Sequence, residues 1–182
     1  MNRKNNRENL EKMMLIVLIG ALAIVLGIIE SFIPIKLPIP GLKLGLANIM
    51  VVIGLYYLDF KNMFLVIMLK TVLTTLLLGT FSMFAYGFVG ALLSYICMMA
   101  AFKVSKENIS LMGISMIGGV MHNIGQIIVA MILIKTKAIA YYMMFLLPIG
   151  LLTGIIIGLV AKLVMTRLNE FELFRKHYKL NN

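Results

Sequence analysis

Aspartate occurs once in this 182-residue chain, at Asp59, and cysteine once, at Cys97. Hard cations such as Mg²⁺ take several oxygen ligands, and one aspartate cannot form the cluster that supplies them. One cysteine excludes an intrachain disulfide and a cysteine-built metal cage. Histidine is nearly as scarce. His122 stands in an apolar run and His177 in the polar tail, so no buried pair is available for haem. No G-x-x-x-x-G-K-[ST] string is present, so any use of ATP must come from partners. Neither a Ser–His–Asp set nor a pair of carboxylates suggests an intramembrane hydrolase. The chain is therefore expected to hold no metal and no cofactor, and not to be an enzyme.

Charge is sparse as well. Charged residues make up 13% of the chain and hydrophobic ones 62%, against about a quarter and about half in soluble domains. A soluble fold of this size buries only about 70% of its surface. It could not hide so much apolar side chain, so lipid must cover the rest. The net charge is +10, but the basic residues flank apolar runs, as membrane topology requires. No stripe of Lys and Arg with interleaved aromatics points to nucleic acid.

A membrane-spanning helix needs about 20 mostly apolar residues. Runs over 13–33, 44–58, 62–79, 82–102, 111–134 and 140–165 predict an all-α bundle of six transmembrane helices, the second short for a span. The domain reading is a basic N-terminus over 1–12, a transmembrane domain over 13–166 and a basic tail over 167–182 that forms a surface helix. The A-x-A at Ala21 and Ala23 lies inside the first apolar run, which reads as a retained helix and not a cleaved signal. Pro34, Pro38 and Pro40 break the chain after the first helix, and Pro148 is expected to kink the sixth. With the N-terminus inside, twelve of the 17 basic residues fall on the inner side. Lys36, Lys43, Lys135 and Lys137 fall outside, and Lys70 lies in the membrane. Both termini are thus expected in the cytoplasm.

Small residues let helices approach closely in lipid. Gly20, Ala23 and Gly27 form one stripe on the first helix, suited to packing or to docking a partner. Gly113, Gly118 and Gly119, and Gly150, Gly154 and Gly158, form others suited to bundle packing.

Polar groups in hydrocarbon are costly and need partners. They are Glu30, Asn48, Lys70, His122, Asn123 and Gln126. At the helical rise, Glu30 and Asn48 lie about 6 Å from the outer ends, Gln126 about 12 Å, Lys70 about 14 Å and His122 about 18 Å. This gradient predicts a polar pocket reached from outside. His122 and Gln126 share a helix face, and Asn123 is turned away by about 100°. Glu30 reads equally as a pocket residue or as an ion-pair partner of Lys70. Asn48 reads as a pocket residue or a helix cap. Lys43 and Lys36 are loop charges that could draw an anion to the mouth. Tyr86, Tyr141 and Tyr142 suit the interfacial belt.

Three strings resemble one family. They are Glu30-Ser31 with the Pro40-Gly41-Leu42-Lys43-Leu44-Gly45-Leu46-Ala47-Asn48-Ile49 segment, Lys70 with Leu77-Leu78-Gly79, and His122-Asn123-Ile124-Gly125-Gln126. Together, across about 13–165, the chain resembles bacterial membrane proteins called both Gx transporters and heptaprenyl diphosphate synthase component I. That family is similar to the substrate-binding S components of energy-coupling factor transporters. The resemblance implies a bacterial cell-membrane location and a small-molecule ligand held by Glu30, Lys43, Asn48, Lys70, His122, Asn123 and Gln126. It implies a lid at 34–43, and docking of a transmembrane coupling subunit with its ATPases on the Gly20/Ala23/Gly27 stripe. The stripe here contains Ala23-x-x-x-Gly27 and no A-x-x-x-A. The leading expectation is a substrate-capture subunit for uptake. The alternative is a non-catalytic membrane component beside a prenyl synthase subunit or in a redox assembly, because one aspartate cannot carry prenyl transfer.

The topology is testable by cysteine labelling with a membrane-impermeant reagent. A cysteine at Lys43 should label from outside the cell and one at Lys106 only after permeabilisation; the opposite pattern refutes the orientation.

Overall fold

The computed structural model describes residues 2–32, 45–105 and 108–178. The described chain is helical throughout. The order is α1 (Asn2–Phe32), α2 (Asn48–Tyr57), α3 (Phe60–Leu78), α4 (Phe81–Val104), α5 (Leu111–Ile134), a 3₁₀ segment (Lys137–Tyr142), α6 (Met143–Leu168) and α7 (Glu172–His177). Five of these stretches are long and apolar enough to cross a membrane: Asn6–Phe32, Phe60–Leu77, Phe81–Val104, Leu111–Ile134 and Lys137–Leu168. Their outward faces are apolar, with Leu76, Phe81, Ile132 and Leu163 among the exposed side chains, as lipid contact requires.

The expected second helix is present and is shorter than the run that predicts it. α2 has 10 residues, or about 15 Å, half of a bilayer's hydrocarbon core. All of its residues are buried. A helix apolar on every side belongs inside a bundle, so the short 44–58 run becomes a half-span enclosed by the long helices. Leu58 and Asp59 then turn the chain directly into α3.

Two boundaries also shift. α1 starts at Asn2, so the basic segment over 1–12 is largely a continuation of the first helix, with Arg7 and Glu11 paired at 3.2 Å across one turn. The tail forms a short helix, α7, that docks on the bundle. Tyr57 donates its hydroxyl proton to Asn169 Oδ1 at 2.7 Å, its ring meets Phe174 edge-on, and Phe174 is buried. α6 runs on through Pro148; five residues from the start of the helix, its ring removes only one early backbone hydrogen bond.

The glycine stripes of α5 and α6 hold α4, α5 and α6 together. A Cβ at Gly119 would collide with the Gly150 carbonyl, one at Gly154 would lie 2.7 Å from Met116 Cα, and one at Gly125 2.9 Å from Gly90 Cα. These helices touch backbone to backbone, the close approach that small residues permit in lipid. The α1 stripe is used in the same way. Ala23 has no exposed surface, and a Cβ at Gly27 would lie 2.9 Å from Thr74 Cγ2 on α3. Ala23 and Gly27 thus pack within the chain, while a Cβ at Gly20 would meet nothing within 4 Å.

Gly119→Ala should therefore destabilise the bundle, by roughly 1–3 kcal/mol for an overpacked site. Gly20→Ala, whose Cβ would meet nothing within 4 Å, should be neutral or slightly stabilising. Thermal melting of the two variants in the same detergent checks the contrast; equal midpoints would remove the packing role of Gly119.

Candidate functional site

α2 begins inside the bundle, and this makes the site. Gly45, just before it, has φ +87, a left-handed conformation that glycine adopts without penalty. A Cβ there would lie 2.9 Å from Asn48 Nδ2 and 3.0 Å from His122 Cδ2. His122 is at the middle of the 24-residue α5. Irregular backbone thus reaches the mid-depth of the bundle, where its amides need acceptors. Glu30 supplies them from the end of α1: its Oε1 accepts from Gly45 N–H at 2.5 Å and its Oε2 from Ala47 N–H at 3.4 Å. The carboxylate also complements the positive end of α2.

A cavity of about 40 Å³ lies beside this junction. Glu30, Lys70, His122 and Gln126 line it, together with Thr71, Thr74 and Tyr86. Four of the expected residues are thus brought together from α1, α3 and α5. His122 Nε2 and Gln126 Nε2 are hydrogen-bonded along α5. Gly90 on α4 closes the other side of the ring; a Cβ there would lie 2.9 Å from His122 Nδ1.

The remaining expected residues separate. Asn123 donates from Nδ2 to the Leu146 carbonyl at 2.7 Å. It bridges α5 to α6 and is not among the cavity-lining residues. Asn48 is buried beside Gly45, and neither its Oδ1 nor its Nδ2 has a hydrogen-bond partner among the described residues. It caps nothing and does not line the cavity. Lys36, Lys43 and the 34–43 lid lie outside the described residues. Tyr141 is exposed, as an interfacial residue would be, whereas Tyr86 is buried and belongs to the cavity.

The threonines are additions. Thr74 is four residues from Lys70, on the same face of α3. Thr71 donates its hydroxyl proton to Ile67 O at 2.6 Å and Thr74 donates to Lys70 O at 2.8 Å. Their protons are spent on the backbone, so toward any other group these oxygens can act only as acceptors. The only sequence signal was spacing from Lys70, and hydroxyls on a spanning helix commonly satisfy themselves in this way.

The cavity carries one formal positive charge and one formal negative charge among these side chains. Such a lining favours a neutral or zwitterionic polar group over a bare anion. Its volume holds a few water molecules and is well below the roughly 300–1,000 Å³ of sites for larger ligands. Among the described residues, no group of three or more His, Cys, Asp or Glu side chains is placed to hold a metal ion.

The Glu30 contacts make a stability prediction. Glu30→Ala leaves two buried amides without their acceptors and should cost about 1–3 kcal/mol for each. Glu30→Gln keeps an acceptor oxygen and should cost less. Chemical or thermal unfolding in detergent reads the order; equal losses would show that the carboxylate does not hold the α2 junction.

In comparison with known proteins, a family model described as heptaprenyl diphosphate synthase component I matches residues 19–164. No curated protein matches, and no solved structure does.

Proposed function

Because the chain belongs to the heptaprenyl diphosphate synthase component I family, we propose that it is a non-catalytic membrane component working with a separate prenyl synthase subunit. The observation that carries this reading is the family match over residues 19–164. The composition supports the division of labour. Prenyl transfer needs a diphosphate held through divalent cations, and hard cations want clustered oxygen ligands. Asp59 is the one aspartate in the sequence, at the turn into α3. The catalytic carboxylates therefore belong to the partner, and this bundle contributes membrane attachment and a polar site within the bilayer.

The second reading is a substrate-capture subunit of an uptake transporter. What favours it is the cavity built around the α2 junction, where Glu30, Lys70, His122 and Gln126 meet. Half-helices that start at mid-depth commonly frame the ligand sites of transporters.

Affinity purification of the full chain in a mild detergent, followed by native mass spectrometry, separates the two. The component reading expects a soluble prenyl synthase to co-elute in fixed ratio. Co-elution of ATPase and coupling subunits with a bound polar small molecule, and no synthase, overturns it in favour of uptake.

A further inference from the structure

The cavity beside the α2 junction carries a chemistry that the component reading leaves unused. Glu30 is 7% exposed and Lys70 6%, and both line the cavity, so opposite formal charges are buried in one small space. A larger cavity, of about 440 Å³, lies where α5 begins and α6 ends, and Lys162 is the one charged side chain in its described lining. The opposition of charge belongs to the first cavity. A buried charge is costly unless opposite charge and hydrogen bonds meet it, so the occupant of this space must answer both signs.

The lining sorts into acceptors and donors. Glu30 offers a carboxylate with about four lone-pair sites, and the Gly45 and Ala47 amides take one on each oxygen. The Thr71 and Thr74 hydroxyls have given their protons to Ile67 O and Lys70 O and can only accept. Lys70 carries donors alone, and the Gln126 amide and Tyr86 hydroxyl have protons to give. The two charges also enter at different depths. α1 and α3 run in the same direction, since Ile19 and Met63 both flank Gly54 while Gly27 faces Thr74. Glu30 lies three residues beyond Gly27 and Lys70 four before Thr74, a backbone offset of about 10 Å at the helical rise. At roughly 10–15 Å³ for each water, the 40 Å³ cavity has room for about three waters. Bonded atoms lie closer together than waters do, so the same room takes one molecule of about five heavy atoms.

We propose that this cavity binds a small zwitterion, with an ammonium and a carboxylate on one short carbon frame. The ligand's ammonium meets the Glu30 carboxylate and the threonine oxygens. Its carboxylate meets the Lys70 ammonium and the protons of Gln126 and Tyr86. A bare anion or cation would leave net charge in the cavity. A neutral molecule would make neutral hydrogen bonds where charge-assisted ones, roughly twice as strong, are on offer. The zwitterion as a cargo rests on the uptake reading above; its seat in the cavity rests on the lining.

The test is equilibrium binding of radiolabelled probes to the full chain in phosphatidylcholine nanodiscs. Glycine is the probe, with acetate, methylammonium and acetamide as its anionic, cationic and neutral counterparts. Glycine should bind at least about tenfold more tightly than each of the three, the gain expected for one further charged hydrogen bond. Lys70→Met should weaken glycine and acetate by about tenfold and leave methylammonium unchanged or tighter. Thr74→Val should weaken glycine and methylammonium by about threefold and spare acetate. A merely structural role would weaken all the probes in step. Glycine binding no tighter than any one of its counterparts on the wild-type protein overturns the site, and that comparison needs no variant to fold. Loss in step for every probe in both variants, with melting curves showing both folded, overturns it as well. Glycine binding without ATPase and coupling subunits would keep the site and remove the uptake reading; those subunits without glycine binding would do the reverse.

Discussion

The Glu30 carboxylate on the amides of Gly45 and Ala47 is the contact on which the rest of the arrangement depends. Backbone that leaves the helical pattern inside a bilayer forfeits its own hydrogen bonds, and lipid supplies none in their place. The chain leaves that pattern at Gly45, at the depth of His122, and begins a helix there that covers only half the membrane. A neutral acceptor could satisfy the amides. A carboxylate also answers the positive end of α2. Because Glu30 belongs to α1, the same contact ties the first helix to the half-helix and, through Gly45, to the face of α5 that carries His122.

The half-length of α2 has a second consequence. A full span in that position would fill the bundle from one end to the other. The half-span fills it on the side toward Tyr57, and among the described residues α1, α3, α4 and α5 line the other half. The cavity that holds Glu30, Lys70, His122 and Gln126 is what remains. The glycine contact of Gly90 on α4 with Gly125 on α5 keeps two of the walls close. The site is thus a by-product of where one helix starts.

The long spans are legible in the sequence because apolar runs of about 20 residues have few other uses. The half-span is not, because hydrophobicity reports burial and not depth. The 44–58 run reads as a short crossing until Gly45 is seen in a left-handed conformation against His122. Helical spacing did separate His122 and Gln126 from Asn123, and the structure sends Asn123 to α6. It could not tell whether the Gly20, Ala23 and Gly27 stripe faced outward or inward, since both uses need small residues. Tyr86 carries a related ambiguity: a tyrosine near a helix end suits an interface and a cavity rim alike, and here it is buried at the cavity. The docking of the tail on Tyr56 and Tyr57 joins residues more than a hundred positions apart, and no local pattern announces it.

The two cavities bear differently on function. The first opposes a carboxylate to an ammonium, and its small volume suits a polar group held within the membrane. The second is lined by Lys162, Tyr56, Met112 and Met165 among others, with no carboxylate among its described lining. Asp59, the one aspartate in the sequence, stands at the turn into α3 and is in the described lining of neither cavity.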